Sequence, residues 1–149
     1  MDFAIEQRRL HEQALDLSRR HRTVESQLIE VLQEIDGIAL YKRLGHSSLF
    51  QYAVKGLGFS EAVAYSFITV ARTSAKVPAL NEALRERTIS VYKASRLSSC
   101  LTSENARELI AFARAHTSRE IDFEVARRNP KASSFERSKP VGANRIELK

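Results

Sequence analysis

Gly58-Phe59-Ser60-Glu61-Ala62-Val63-Ala64-Tyr65-Ser66-Phe67-Ile68-Thr69-Val70-Ala71-Arg72-Thr73-Ser74-Ala75-Lys76 is the stretch that decides the fold. An α-helix turns about 100° per residue. At that pitch Val63, Ala64, Phe67, Ile68, Val70, Ala71 and Ala75 share one arc with Ser74. Glu61, Tyr65, Ser66, Thr69, Arg72, Thr73 and Lys76 fill the other. The spacing predicts a helix over 61–76 with one face for a core and one for water or a partner. Ser60 is its N-cap, because a Ser hydroxyl accepts from the orphan amides of the first turn. Upstream, 48–55 reads as a shorter helix and Gly56-Leu57-Gly58 as a tight corner. Helix, glycine turn and a helix with a hydrogen-bonding and cationic face form the outline of a helix-turn-helix pair.

Toward the N-terminus, 2–35 reads as a long helical arm without Gly or Pro, with a break expected near Arg19-Arg20-His21-Arg22-Thr23. Thr23 would cap the second part. Leu10, Ala14 and Leu17 make a thin apolar stripe, and Val24, Leu28, Val31, Leu32 and Ile35 a stronger one. The arm is either a helix packed on its own domain or a dimerisation arm. Between Gly37 and Gly45, residues 38–44 read as about two helical turns closed by a glycine.

Beyond the central helix, Pro78 suits a first helical turn, and 79–86 is amphipathic through Leu80 and Leu84. Ser90 caps a segment with Val91, Ala94 and Leu97 inward. Thr102 or Ser103 opens a helix to Ala115, and Thr117-Ser118-Arg119-Glu120 is a capping box opening the last. Residues 130–149 read as a basic linker or tail, in which 145–149 alternate like a strand without a partner. The expectation is an all-α chain: an arm over 1–35, a compact multi-helix domain over 36–129 around the helix-turn-helix-like pair, and a flexible basic tail over 130–149.

The 149 residues, 43% hydrophobic and 28% charged, suit one soluble domain with a real core. No apolar run approaches the roughly 18 residues of a membrane span, and no signal-peptide pattern opens the chain, so a cytoplasmic protein is expected. The net charge is +6, but from Arg127 onward seven cations and two anions contribute +5. The first 126 residues, with seventeen cations and sixteen anions, are nearly neutral. DNA affinity of the domain therefore has to come from local arrangement.

Little else in the chain suggests chemistry. His11, His21, His46 and His116 are scattered, with no two at metal-ligand spacing, and the single Cys100 reads as a small core residue. There is no phosphate loop, serine elbow or Cys-His pairing. The reading is a non-catalytic chain with no cofactor, no metal and no small-molecule substrate. For DNA, Tyr65, Thr69, Arg72 and Thr73 are the candidates to face a groove and Lys76 to reach a phosphate, with Lys42, Arg43 and Lys55 as flanking phosphate contacts. An ordinary amphipathic helix with an idle wet face is the bland alternative.

Leu40-Tyr41-Lys42-Arg43-Leu44-Gly45-His46-Ser47-Ser48-Leu49-Phe50-Gln51-Tyr52, followed by Gly58-Phe59-Ser60-Glu61-Ala62-Val63-Ala64-Tyr65, resembles the helical N-terminal domain of bacterial HNH-endonuclease-type proteins. Val77-Pro78 to Leu84, Thr88-Ile89-Ser90 to Leu97, Leu101-Thr102-Ser103-Glu104-Asn105 and Ser118-Arg119-Glu120 follow that family's pattern in order. The second half is more distantly similar to the helix-turn-helix region of ParB-like partition proteins. Phe67, Ile68 and Thr69 stand where relatives often carry arginines, and the HNH histidine and asparagine set is missing. The resemblance implies a bacterial DNA-associating or regulatory domain, with any nuclease module beyond Lys149. The alternative is a protein-interaction module that homodimerises through the arm and binds no DNA.

Overall fold

A computed structural model describes residues 2–129, and these are all-helical. The expected basic tail and its strand-like end lie outside the described residues. Eight α-helices follow in order: α1 Phe3–Ile38, α2 Leu40–Arg43, α3 Leu49–Gln51, α4 Glu61–Lys76, α5 Pro78–Arg85, α6 Val91–Leu97, α7 Ala106–Ala115 and α8 Ser118–Arg128. A π-helical turn, Tyr52–Gly56, continues α3.

Local signals account for most of the boundaries. The Ser60 hydroxyl accepts from Val63 N at 3.2 Å, and Ser90 from Lys93 N at 3.2 Å. Pro78 occupies the first turn of α5. Thr117 and Glu120 close the capping box at 3.2 and 2.9 Å. Each cap satisfies amides that the helix cannot.

Four boundaries differ from expectation. α1 runs unbroken through 19–23, because a charge cluster alone does not stop a helix, and Thr23 donates its hydroxyl back to the Arg19 carbonyl at 3.1 Å instead of capping. The turn ending α1 falls at Ala39, left-handed at φ 53°, while Gly37 stays helical. The helix after it, α2, is a single turn. α7 starts at Ala106, after a reciprocal turn in which Thr102 N donates to Asn105 Oδ1 at 2.7 Å and Asn105 N to Thr102 Oγ1 at 3.3 Å.

At the corner, Leu57 N bonds Tyr52 O and Phe59 N bonds Ala53 O, both at 3.0 Å, which widens the helix before it stops. A Cβ on Gly56 would lie 3.1 Å from the Tyr52 ring and 3.3 Å from His46 Nε2, so a larger residue there would have to push these rings aside. Gly58 turns the chain at φ 80°.

The core gathers one face from most helices. Ile29 and Leu32 of α1, Leu49, Ala64, Val70 and Ala71, Leu80, Ala94 and Leu97, Leu109 and Ile121 are almost wholly buried. α6 lies centrally, packed on α4, α7 and α8, and α4 also packs on α1 and α5. Ser26, Ile29, Leu32 and Ile35 join α1 to this core, so only the part before them projects as an arm. Gln33 of α1 cross-links the packing: its Nε2 donates to Ser74 Oγ at 2.7 Å and to Ala71 O at 3.1 Å on α4.

α8 is tied to α7 through charge. Glu124 accepts from Arg127 at 2.6 Å and Arg128 at 2.7 Å, and Arg128 reaches Glu108 at 3.2 Å. Hydrogen bonds from Arg127 and then Arg128 hold the Glu124 carboxyl at about 2, below the usual 4.5. A depressed carboxyl pKa stabilises the fold above the unfolded value and stops doing so as pH falls through the folded one. The melting-temperature gap between the parent and Glu124→Gln is therefore expected to be constant above about pH 5 and to close toward about pH 2. A gap that does not change with pH in thermal scans would contradict this.

Candidate functional site

The polar arc of α4 faces a cleft. Helices α4, α6 and α8 enclose a concavity of about 870 Å³. Tyr65, Ser66, Thr69 and Thr73 form its α4 wall, Tyr92, Ser95 and Arg96 its α6 wall, and Asp122 and Val125 of α8 with Asn129 just past its end the third. This follows from how α4 is buried. Its inner arc, Ala64, Ile68, Val70, Ala71 and Ser74, goes to the core, and α6, packed on both α4 and α8, holds the far walls opposite the outer arc. Val63, 43% exposed, and Ala75 leave the expected inner arc.

Three of the candidates, Tyr65, Thr69 and Thr73, come together along this wall. Thr69 and Thr73 are half-buried, whereas Tyr65 is 66% exposed. Arg72 points elsewhere: its Nε and Nη2 donate to the two Asp36 oxygens at 3.0 and 3.1 Å, a bidentate pair with the end of α1. Those bonds push the guanidinium pKa up. Lys76 is exposed in the last turn of α4.

Lys42, Arg43 and Lys55 lie outside the cleft lining, around the glycine corner. His46 packs edge-on against Tyr52, ring centroids 5.6 Å apart, and approaches Gly56. His46 N also bonds Tyr41 O at 2.9 Å, so the end of α2 is pinned to the π turn that carries Lys55. All three cations are exposed, and none forms an ion pair among the described residues.

The α6 and α8 walls were not among the candidates. Tyr92 and Arg96 lie one turn apart on the outer face left by Val91, Ala94 and Leu97, a spacing the sequence does carry. The Arg96 guanidinium bonds the Tyr92 hydroxyl, lies 4.7 Å from its ring centroid and pairs with Asp122 at 3.4 Å. The Arg96 hydrogen bond draws the Tyr92 pKa down.

The lining holds hydroxyls, two tyrosines and a compensated ion pair, with no histidine or cysteine among its residues. It offers hydrogen bonds, ring faces and the Arg96–Asp122 pair. Cys100 is half-buried, and burial pushes its thiol pKa up, away from a reactive thiolate. Among the described residues no group of three or more His, Cys, Asp or Glu is placed to hold a metal, and no helix is long and apolar enough to cross a membrane. No family model, curated protein or solved structure matches the chain.

Proposed function

We propose that this chain is a non-catalytic DNA-associating or regulatory domain that touches the DNA backbone with the cations of its glycine corner. The observation that carries the reading is the set Lys42, Arg43 and Lys55: exposed, without ion-pair partners among the described residues, and carried on two segments pinned together by His46. Exposed Lys and Arg without local counterions are the groups that displace cations from phosphates. The resemblance to the helical domain of HNH-endonuclease-type proteins, which runs through this corner, supports the same reading.

The role of α4 shifts accordingly. A helix reads base edges by entering the major groove with a protruding face. Thr69 and Thr73 lie half-buried in a cleft and Arg72 is held by Asp36, so α4 serves mainly to anchor the corner. Tyr65 and Lys76 remain accessible for flanking contacts.

Fluorescence anisotropy with a labelled duplex, at about 50 and 200 mM salt, tests the reading in the full chain and in a chain lacking 130–149. Binding that persists without the tail supports it. Binding lost with the tail assigns the affinity to the tail's own charge. No binding by the full chain leaves the alternative, a module that joins protein to protein. Thr69→Ala with Arg72→Ala is expected to change affinity less than about threefold, since neither side chain is presented to a duplex.

A further inference from the structure

The outer surface of α1 carries a repeat that the core does not use. Phe3, Leu10, Leu17, Val24, Val31 and Ile38 stand seven residues apart without a gap, and all six are 50–74% exposed. A strict seven-residue apolar repeat along a helix is the pattern of a supercoiled seam, because one residue per heptad returns to the same side when two helices wind together. With these six as position d, position a falls on Gln7, Ala14, His21, Leu28 and Ile35. Leu28 and Ile35 are turned to the body, so a two-sided seam is available from Phe3 to Val24 and only the d row continues beyond it.

No residue from Asp2 to Arg22 is buried. Most helical stability in proteins comes from packing an apolar face, and the ion pairs along this stretch, Glu6 with Arg9, Asp16 with Arg20 and His21 with Glu25, are local and weakly stabilising. A helix of this kind needs a partner along its stripe.

We infer that α1 pairs with α1 of a second copy of this chain as a parallel, in-register coiled coil over residues 3–24. Two observations select a second copy in that orientation. In parallel register, the residue preceding each a position meets the one following d on the partner, five residues on. Glu6 then faces His11 of the other copy, and Arg20 faces Glu25. The polar a residues also meet like with like, Gln7 on Gln7 and His21 on His21, where polar groups face polar groups; His21 keeps the Glu25 carboxylate of its own chain at 3.0 Å beside it. In an antiparallel pair centred on Ala14 and Leu17, Gln7 would face Val24 and His21 would face Leu10, leaving polar groups against apolar ones. Arg20 would then lie against Gln13, and Glu25 against Ala4. The inference is independent of whether the chain binds DNA.

Sedimentation of the full chain at about 100 µM, where a pair with micromolar Kd is nearly all dimer, is expected to give twice 16.9 kDa. Leu10→Glu with Leu17→Glu places two charges per chain in the seam and should weaken association at least about 100-fold, giving mostly monomer at about 10 µM, where the parent is still mostly dimer. Both positions lie on the arm before the core residues begin, so the thermal transition of the body reports that folding is intact. A parent chain that sediments as monomer, or a variant with an intact body that stays dimeric, overturns the inference. Orientation is read in a Cys100→Ser background carrying Leu10→Cys. Parallel pairing brings the two position-10 backbones within disulfide reach, and mild oxidation links the dimer. A dimer that cross-links only when Leu10→Cys is combined with His21→Cys is antiparallel and overturns the register.

Discussion

Leu97→Ala is expected to lower the free energy of unfolding by about 2–5 kcal/mol, a large part of the roughly 5–15 kcal/mol that holds a domain of this size together. Leu97 is wholly buried on α6, the helix packed against α4, α7 and α8 at once. Three neighbours cannot all relax into the space left by an isobutyl group, so the cavity persists and its lost contacts add to the lost transfer energy. The α6 wall of the cleft is anchored from behind by this residue, so the cleft should loosen with the core. Urea unfolding followed by helical CD gives the value, with the slope against denaturant unchanged if only stability has moved. A loss below about 1 kcal/mol would mean that α6 is not the centre of the packing.

The second large effect concerns a polar contact. Gln33→Leu is expected to cost about 1–3 kcal/mol, because the buried Ser74 hydroxyl, 1% exposed, then loses the donor that it accepts from. The Ser74 hydroxyl donates to Ala71 O at 3.2 Å, so its own proton remains placed and Ala71 O, which also loses its bond from Gln33, keeps a side-chain donor; the unmet group is the Ser74 oxygen that accepted from Gln33. Adding Ser74→Ala to Gln33→Leu should recover most of the loss, since removing both partners leaves nothing unsatisfied. A double variant as unstable as the sum of the two singles would show that Gln33 and Ser74 act separately.

The parts of the fold legible in the sequence were those set by neighbours along the chain. Ser60, Pro78, Ser90 and the Thr117–Glu120 box act within one turn, and each stands where its residue type predicts. The inner arc of α4 was legible for the same reason, since Ala64, Ile68, Val70, Ala71 and Ser74 follow from helical pitch alone. The destination of the outer arc was not. That Thr69 and Thr73 look across at Tyr92 and Asp122 depends on how α6 and α8 return to α4, and no periodicity encodes that.

Arg72 shows the same limit. Its partner Asp36 lies 36 positions away on another helix, so a guanidinium read as free for a ligand is engaged within the fold. The end of α1 misled for a different reason. Glycine is the residue expected to leave a helix left-handed, yet Gly37 stays in and Ala39 takes the turn, with its amide on Asp36 O and Ile35 O. The seven-residue stripe from Phe3 to Ile38 was written in the sequence throughout, but only its exposure separates a seam from a core face.

The proposed DNA association rests on three side chains and is tested most directly through them. Anisotropy titrations of a labelled duplex, run over a series of salt concentrations, compare the full chain with the same chain carrying Lys42→Gln, Arg43→Gln and Lys55→Gln. Each phosphate contact contributes about 0.9 to the slope of log affinity against log salt. The account predicts a slope shallower by about 2–3 in the triple variant and weaker binding at every salt concentration. An unchanged slope and affinity would contradict it.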